Sequence, residues 1–115
     1  MNQKETLFTK IINREIPADI IYEDDLCLAF NDINPQAPLH ALLVPKTVIP
    51  MLSESTSEHQ SLLAHLMLTA PKIANQQGYA DAFRIVINNG EKAGQTVFHL
   101  HIHIIAGRTL NWPPG

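Results

Sequence analysis

Residues 96–107 read Thr96-Val97-Phe98-His99-Leu100-His101-Ile102-His103-Ile104-Ile105-Ala106-Gly107, and hold three of the chain's six histidines at every second position. In an extended strand, residues two apart share a face. His99, His101 and His103 therefore project together, while Phe98, Leu100, Ile102 and Ile104 project the other way, onto a core. The alternation predicts a strand over 97–105 with one face given to packing and the other to chemistry.

Working outward, Phe83 to Ile87 and Leu39 to Val44 are apolar enough for strands, the latter closed by Pro45. Ile20 to Tyr22 and Leu26 to Asn31 form two more, joined by the acidic turn Glu23-Asp24-Asp25. Asp32 to Pro38 is a proline-punctuated loop. A short helix is predicted from Thr6 to Arg14, ended by Ile16-Pro17. A long helix follows Ser55-Thr56-Ser57-Glu58, which reads as a capping box with Ser55 as the cap, and runs to Gln77 before Gly78. Positions 59, 62, 63, 66, 70, 73 and 74 keep a helical stripe; Pro71 should kink or split the helix. The order of elements suggests an α+β domain, an antiparallel meander of five strands packed on a helix, with 1–115 as a single domain.

The bulk properties narrow the function. A net charge of −3 with only 8 Lys plus Arg argues against a broad basic face for nucleic acid. No run reaches membrane-spanning length, and the start Met1-Asn2-Gln3-Lys4-Glu5-Thr6 is polar, so an intracellular, cytoplasmic place is expected. The single Cys27 excludes an intramolecular disulfide and a cysteine-based zinc knuckle.

Three readings compete for the histidines. One zinc ion could take a neighbouring pair, roughly 6.7 Å apart, but not the whole row; His40 or Asp32 would have to supply a third ligand. A solvated histidine-rich strand is the bland reading. The third is phosphorus chemistry: a neutral imidazole attacks phosphorus while its neighbours donate hydrogen bonds and a proton. The preceding Asn88-Asn89-Gly90-Glu91-Lys92-Ala93-Gly94-Gln95-Thr96 supports it, because its glycines can turn amides inward as a phosphate nest, although Asn-Gly also suits an ordinary hairpin. No structural or catalytic metal and no cofactor is expected, the spacing suiting a phosphate better than an ion.

The segment His99-Leu-His101-Ile-His103-Ile-Ile resembles the signature of the histidine-triad (HIT) superfamily. IINREIPADIIYEDDLCLAFNDINPQAPLHALLVPK (11–46), NNGEKAGQTVFHLHIH (88–103) and the ending NWPPG are similar to its Hint branch, the histidine-triad nucleotide-binding proteins. The resemblance runs from Thr6 to Gly115. It implies a homodimer in which two five-stranded sheets join into one of ten strands, and a purine nucleoside phosphoramidase acting on AMP- or GMP-type P–N bonds. It implies that His101 is the nucleophile, that His103 contacts the phosphate and leaving group, and that His99 and His40 support the nucleophile. Asn88, Thr96 and the Val97 amide would hold the phosphate, and Asp32 the ribose hydroxyls, unless Asp32 merely caps the turn that follows it. Leu7, Phe8, Phe30, Ile33 and Leu42 would line the base pocket, and Trp112 would lie against the partner near its active site. Thr96 stands where many relatives carry Ser, and Asn31 where a His is frequent. A dinucleoside polyphosphate hydrolase or nucleotidyltransferase is the nearest enzyme alternative, and a nucleotide-binding regulatory module the alternative from another class.

Overall fold

The computed structural model describes residues 5–115; the first four residues of the polar start lie outside them. A short helix α1 (Leu7–Ile12) leads into strands β1 (Ile20–Glu23), β2 (Cys27–Asn31) and β3 (Leu39–Pro45). The long helix α2 (Gln60–Gln76) then carries the chain to β4 (Arg84–Val86) and finally β5 (Ile102–Ala106). All the strands pair antiparallel in one sheet, as the sequence implies. The order is β1-β2-β3-β5-β4, so the meander holds only through β3. The α2 connection skips one place, puts β4 at the edge, and leaves β5 to return between β3 and β4.

The period-two pattern sorts the side chains onto two faces. Cys27, Ala29, Leu39, Ala41, Leu43, Ile102 and Ile104 meet Leu66, Ala70, Ile73 and Ala74 of α2. Leu28, Phe30, Leu42 and Val44 point the other way, to Phe8 and Ile11 of α1. Six residues are too few for a helix to stand alone in water. Burial of Phe8 and Ile11 holds α1, at about 1.5–3 kcal/mol each. Thr6 caps its start by accepting from the Thr9 amide. It ends at Asn13, earlier than Ile16-Pro17, where Arg14 turns left-handed at φ 62°.

Three other expectations are corrected. Thr56, not Ser55, is the cap, and His59 completes the capping box ahead of α2. Pro71 does not split α2: it lies on the exposed side, where the carbonyl of exposed Met67, four residues back, needs no helical donor. The last strand begins at Ile102 rather than Val97, because its partner runs out. Leu43 pairs with Ile102, so the next positions would set Pro45 opposite Leu100, and proline has no N–H to give. The Leu100 amide instead donates to the Ile49 carbonyl at 2.6 Å, and Phe98 is left 43% exposed rather than in the core.

Gly107, at φ 100°, ends β5. A Cβ there would stand 2.7 Å from Pro38 Cβ, so only glycine lets the loop before β3 close over the strand end. Among the described residues no helix is long and apolar enough to cross a membrane.

Candidate active site

The histidines meet on the α1 face of the sheet, and each is fixed by a different partner. His101 Nδ1 lies 2.8 Å from the His99 carbonyl, which can only accept. The proton therefore sits on Nδ1 and the Nε2 lone pair is free. His99 Nε2 donates to the Pro45 carbonyl at 2.7 Å, and its Nδ1 takes the Thr6 hydroxyl at 2.8 Å. The carbonyl that β5 does not pair is thus used by a ring.

A chain of bonds sets the third tautomer. The Gln36 amide donates to His40 Nδ1 at 3.0 Å, which leaves the His40 proton on Nε2. That proton goes to His103 Nδ1, 2.9 Å away, so His103 carries its own proton on Nε2. Asp32 Oδ2 stands 3.5 Å from His40 Nε2.

Phe8 presents its edge to His101 with ring centroids 5.0 Å apart, and His101 and His103 stand 5.1 Å apart. Burial holds the pKa of His99 and His101 below the ordinary histidine value, the His101 charge adding to the effect on His99. His103 falls to about 4, through burial first and then the charges of His101 and His40, with Asp32 opposing. All three rings are neutral at neutral pH.

These groups open onto a cleft of about 370 Å³. His101, His103, Asp32, Thr96, Val97, Leu7, Phe8, Phe30, Ile33 and Leu42 line it, so most of the residues singled out in the sequence are brought together. Ile11, Ile16, Pro17 and Ala18 line it too and were not singled out for the pocket; their only sequence signal was proximity to the short helix. Asn31, which stands where a His is frequent, lines it beside Asp32. Asp32 closes the turn that follows it, Oδ1 accepting from the Asn34 amide at 2.8 Å, and the residue also borders the cleft.

His99 does not share the cleft wall. It is 0% exposed, tucked under Phe8 at 5.7 Å, and supports His101 through its backbone carbonyl alone. The His40 ring touches His103, not the expected nucleophile. Asn88 sits against Gly94 and not on the cleft wall, and Trp112 stands apart, 82% exposed. Asp32, His40 and His103 bring ligand atoms within 4.8 Å of one another. A wider concavity of about 660 Å³ beside Tyr79, Phe83 and Arg84 contains no histidine.

Gln95 gave no sequence signal. Buried to 1%, it accepts from the Gly90 amide at 2.8 Å and donates to the Pro50 and Val97 carbonyls at 2.8 and 3.0 Å. It pins the glycine loop behind Thr96 and Val97.

A family model described as the HIT domain matches residues 13–110. Over 112 residues the chain is 61% identical to a HIT-like protein of Synechocystis, covering 97% of this chain and 98% of that one. It is 49% identical to the adenylylsulfatase HINT1 of Arabidopsis thaliana, covering 96% and 76%. The solved HIT family hydrolase of Legionella pneumophila superposes with a TM-score of 0.94 at 41% identity, over 96% and 100% of the two chains. A histidine triad protein of Clostridium difficile gives 0.89 at 42%, over 96% and 97%.

Proposed function

The chain belongs to the HIT domain family, and from that premise we propose that it is a nucleotide hydrolase, a purine nucleoside phosphoramidase acting through a nucleotidyl-His101 intermediate. We read 1–115 as one HIT domain, working as a cytoplasmic homodimer. The observation that carries the activity is the pairing of tautomers: a free Nε2 on His101 faces the same cleft as a proton-bearing Nε2 on His103. The hydrolase named in Legionella and the adenylylsulfatase named in Arabidopsis support the hydrolytic, nucleotide part of the reading.

The cleft suits the parts of such a substrate. Leu7, Phe8, Phe30, Ile33 and Leu42 offer an apolar bay for a purine, Asp32 an acceptor for ribose hydroxyls, and Thr96 with the Val97 amide a seat for the phosphoryl group. His101 Nε2 attacks phosphorus and the P–N bond breaks. The bound phosphoryl anion offsets the burial of His103, which takes up a proton from solvent, hands one to the departing nitrogen and returns to its neutral form. Water then attacks the phosphorus of the adduct and frees His101 with the nucleoside monophosphate. Among the described residues no Lys or Arg lines the cleft, and Asp32 adds negative charge. That balance favours an amine over sulfate or a polyphosphate as the leaving group.

Rapid quenching during turnover of an adenosine phosphoramidate should place one nucleoside monophosphate on His101. His101→Ala should lose on the order of 10⁴-fold or more in turnover while still binding nucleotide. An adduct on His99 or His103 would overturn the assignment of the nucleophile. Faster turnover of adenylyl sulfate or diadenosine polyphosphate than of the phosphoramidate would overturn the substrate class.

A further inference from the structure

On the face of the sheet opposite the cleft, the β1–β2 turn brings three different ligand types together. His65 Nε2 on α2 lies 2.7 Å from Asp24 Oδ2, and Cys27 Sγ on β2 lies 3.4 Å from Asp24 Oδ1. The three ligand atoms all fall within 4.8 Å of one another. Zinc binds sulfur at about 2.3 Å and nitrogen or oxygen at about 2.0–2.2 Å, so the donors of a tetrahedral site stand roughly 3.3–3.8 Å apart. Each of these pairs has to adjust by no more than about an ångström to accept an ion.

The carboxylate is also held in place for this. The Leu26 and Cys27 amides donate to Asp24 Oδ1 at 2.8 and 2.9 Å, and the Tyr22 hydroxyl donates to Oδ2 at 2.9 Å. Such outer hydrogen bonds are what fix the ligands of working metal sites. Cys27 is fully buried, while Asp24 and His65 are partly open, so one side of the cluster faces solvent and leaves a coordination position for water.

We infer that Asp24, Cys27 and His65 form a binding site for one divalent d-block cation of the zinc type, tying the β1–β2 turn to α2 and separate from the cleft. The expectation of no metal weighed only the histidine row, where the spacing suits a phosphate better than an ion. Binding releases one proton: the Cys27 thiol, held protonated by burial, gives its hydrogen to solvent as the sulfur–metal bond forms. His65 moves its remaining proton to Nδ1 and coordinates through Nε2, and Asp24 stays anionic.

The test uses the full chain and cobalt(II) as a coloured substitute for zinc. Cys27 is the only cysteine, so a sulfur-to-cobalt charge-transfer band in the near ultraviolet can arise nowhere else. The band should saturate at one cobalt per chain and vanish when zinc is added. His65→Ala, altering a partly exposed helix position, should weaken cobalt binding by at least about 10–100-fold, the loss that follows removal of even an outer partner. His40→Ala should leave the band intact. No sulfur band at stoichiometric cobalt, or an unchanged affinity in the folded His65→Ala protein, would overturn the site.

Discussion

His103 is governed by its surroundings more than by its own chemistry. In the unfolded chain it titrates near ~6.5, whereas burial brings the folded value down to about 4. Between those limits the unfolded state binds a proton that the folded state refuses. Stability is therefore lost as pH falls from ~6.5 towards ~4, and this group contributes no further change below that. His99 and His101 shift in the same direction and steepen the loss. Urea midpoints taken from pH 7 to 4 should fall less steeply for His103→Asn than for the parent chain. Superposable curves would show that His103 is not held neutral by the fold. Asp32 shows the same dependence on context: one carboxylate oxygen closes a turn and the residue still borders the cleft.

At the scale of elements, the glycine loop depends on Gln95. Gln95→Ala strands the Gly90 amide and the Pro50 and Val97 carbonyls, each of which lost a partner at the buried amide. The expected cost is about 1–3 kcal/mol in chemical denaturation, with kcat/KM falling more than nucleotide affinity because the phosphoryl seat loosens. Wild-type kinetics in that variant would remove Gln95 from the positioning of Val97. The elements that local pattern decides were legible in the sequence. The α2 stripe is legible because its 3.6 period is long, and β2 and β3 are legible as apolar runs between turn residues. The start of β5 was not, because the alternation from Val97 is continuous and the reason pairing stops lies at Pro45, more than 50 residues away in the chain. The same distance problem hid the His40–His103 bond and the return of β5 between β3 and β4. The histidine row was visible as chemistry, but which ring supports which is a matter of tertiary contact.

For the molecule as a whole, the sheet has two edges, and they differ. β1 has a register shift between Ile20 and Tyr22, and Glu23 at its end is bridged to Arg14 and Lys46, features that discourage pairing. β4 is short and flanked by Phe83 and Ile87, and α2 nearby exposes Met67 and Leu68, the latter to 74%. A proposed homodimer that continues the sheet should therefore join through β4 with α2 alongside. Sedimentation should give twice the 12.8 kDa chain mass, and Leu68→Glu should shift the protein towards monomer. A monomeric parent chain at micromolar concentration would defeat the arrangement.

The end of the β3–β5 ladder at Pro45 also divides the protein in time. Amides of Ile102 to Ala106 that are locked between β3 and β4 should exchange their hydrogens only when the whole domain opens. Those of Thr96 to His99 have no strand beside them and should exchange through small local openings, with Leu100 between the two because of its bond to Ile49. The expected nucleophile at 101 sits on the boundary. A nucleotide that seats against Thr96 and Val97 should slow labelling on the fast side of that boundary and leave the slow side unchanged, a difference that peptide-resolved deuterium uptake can measure directly.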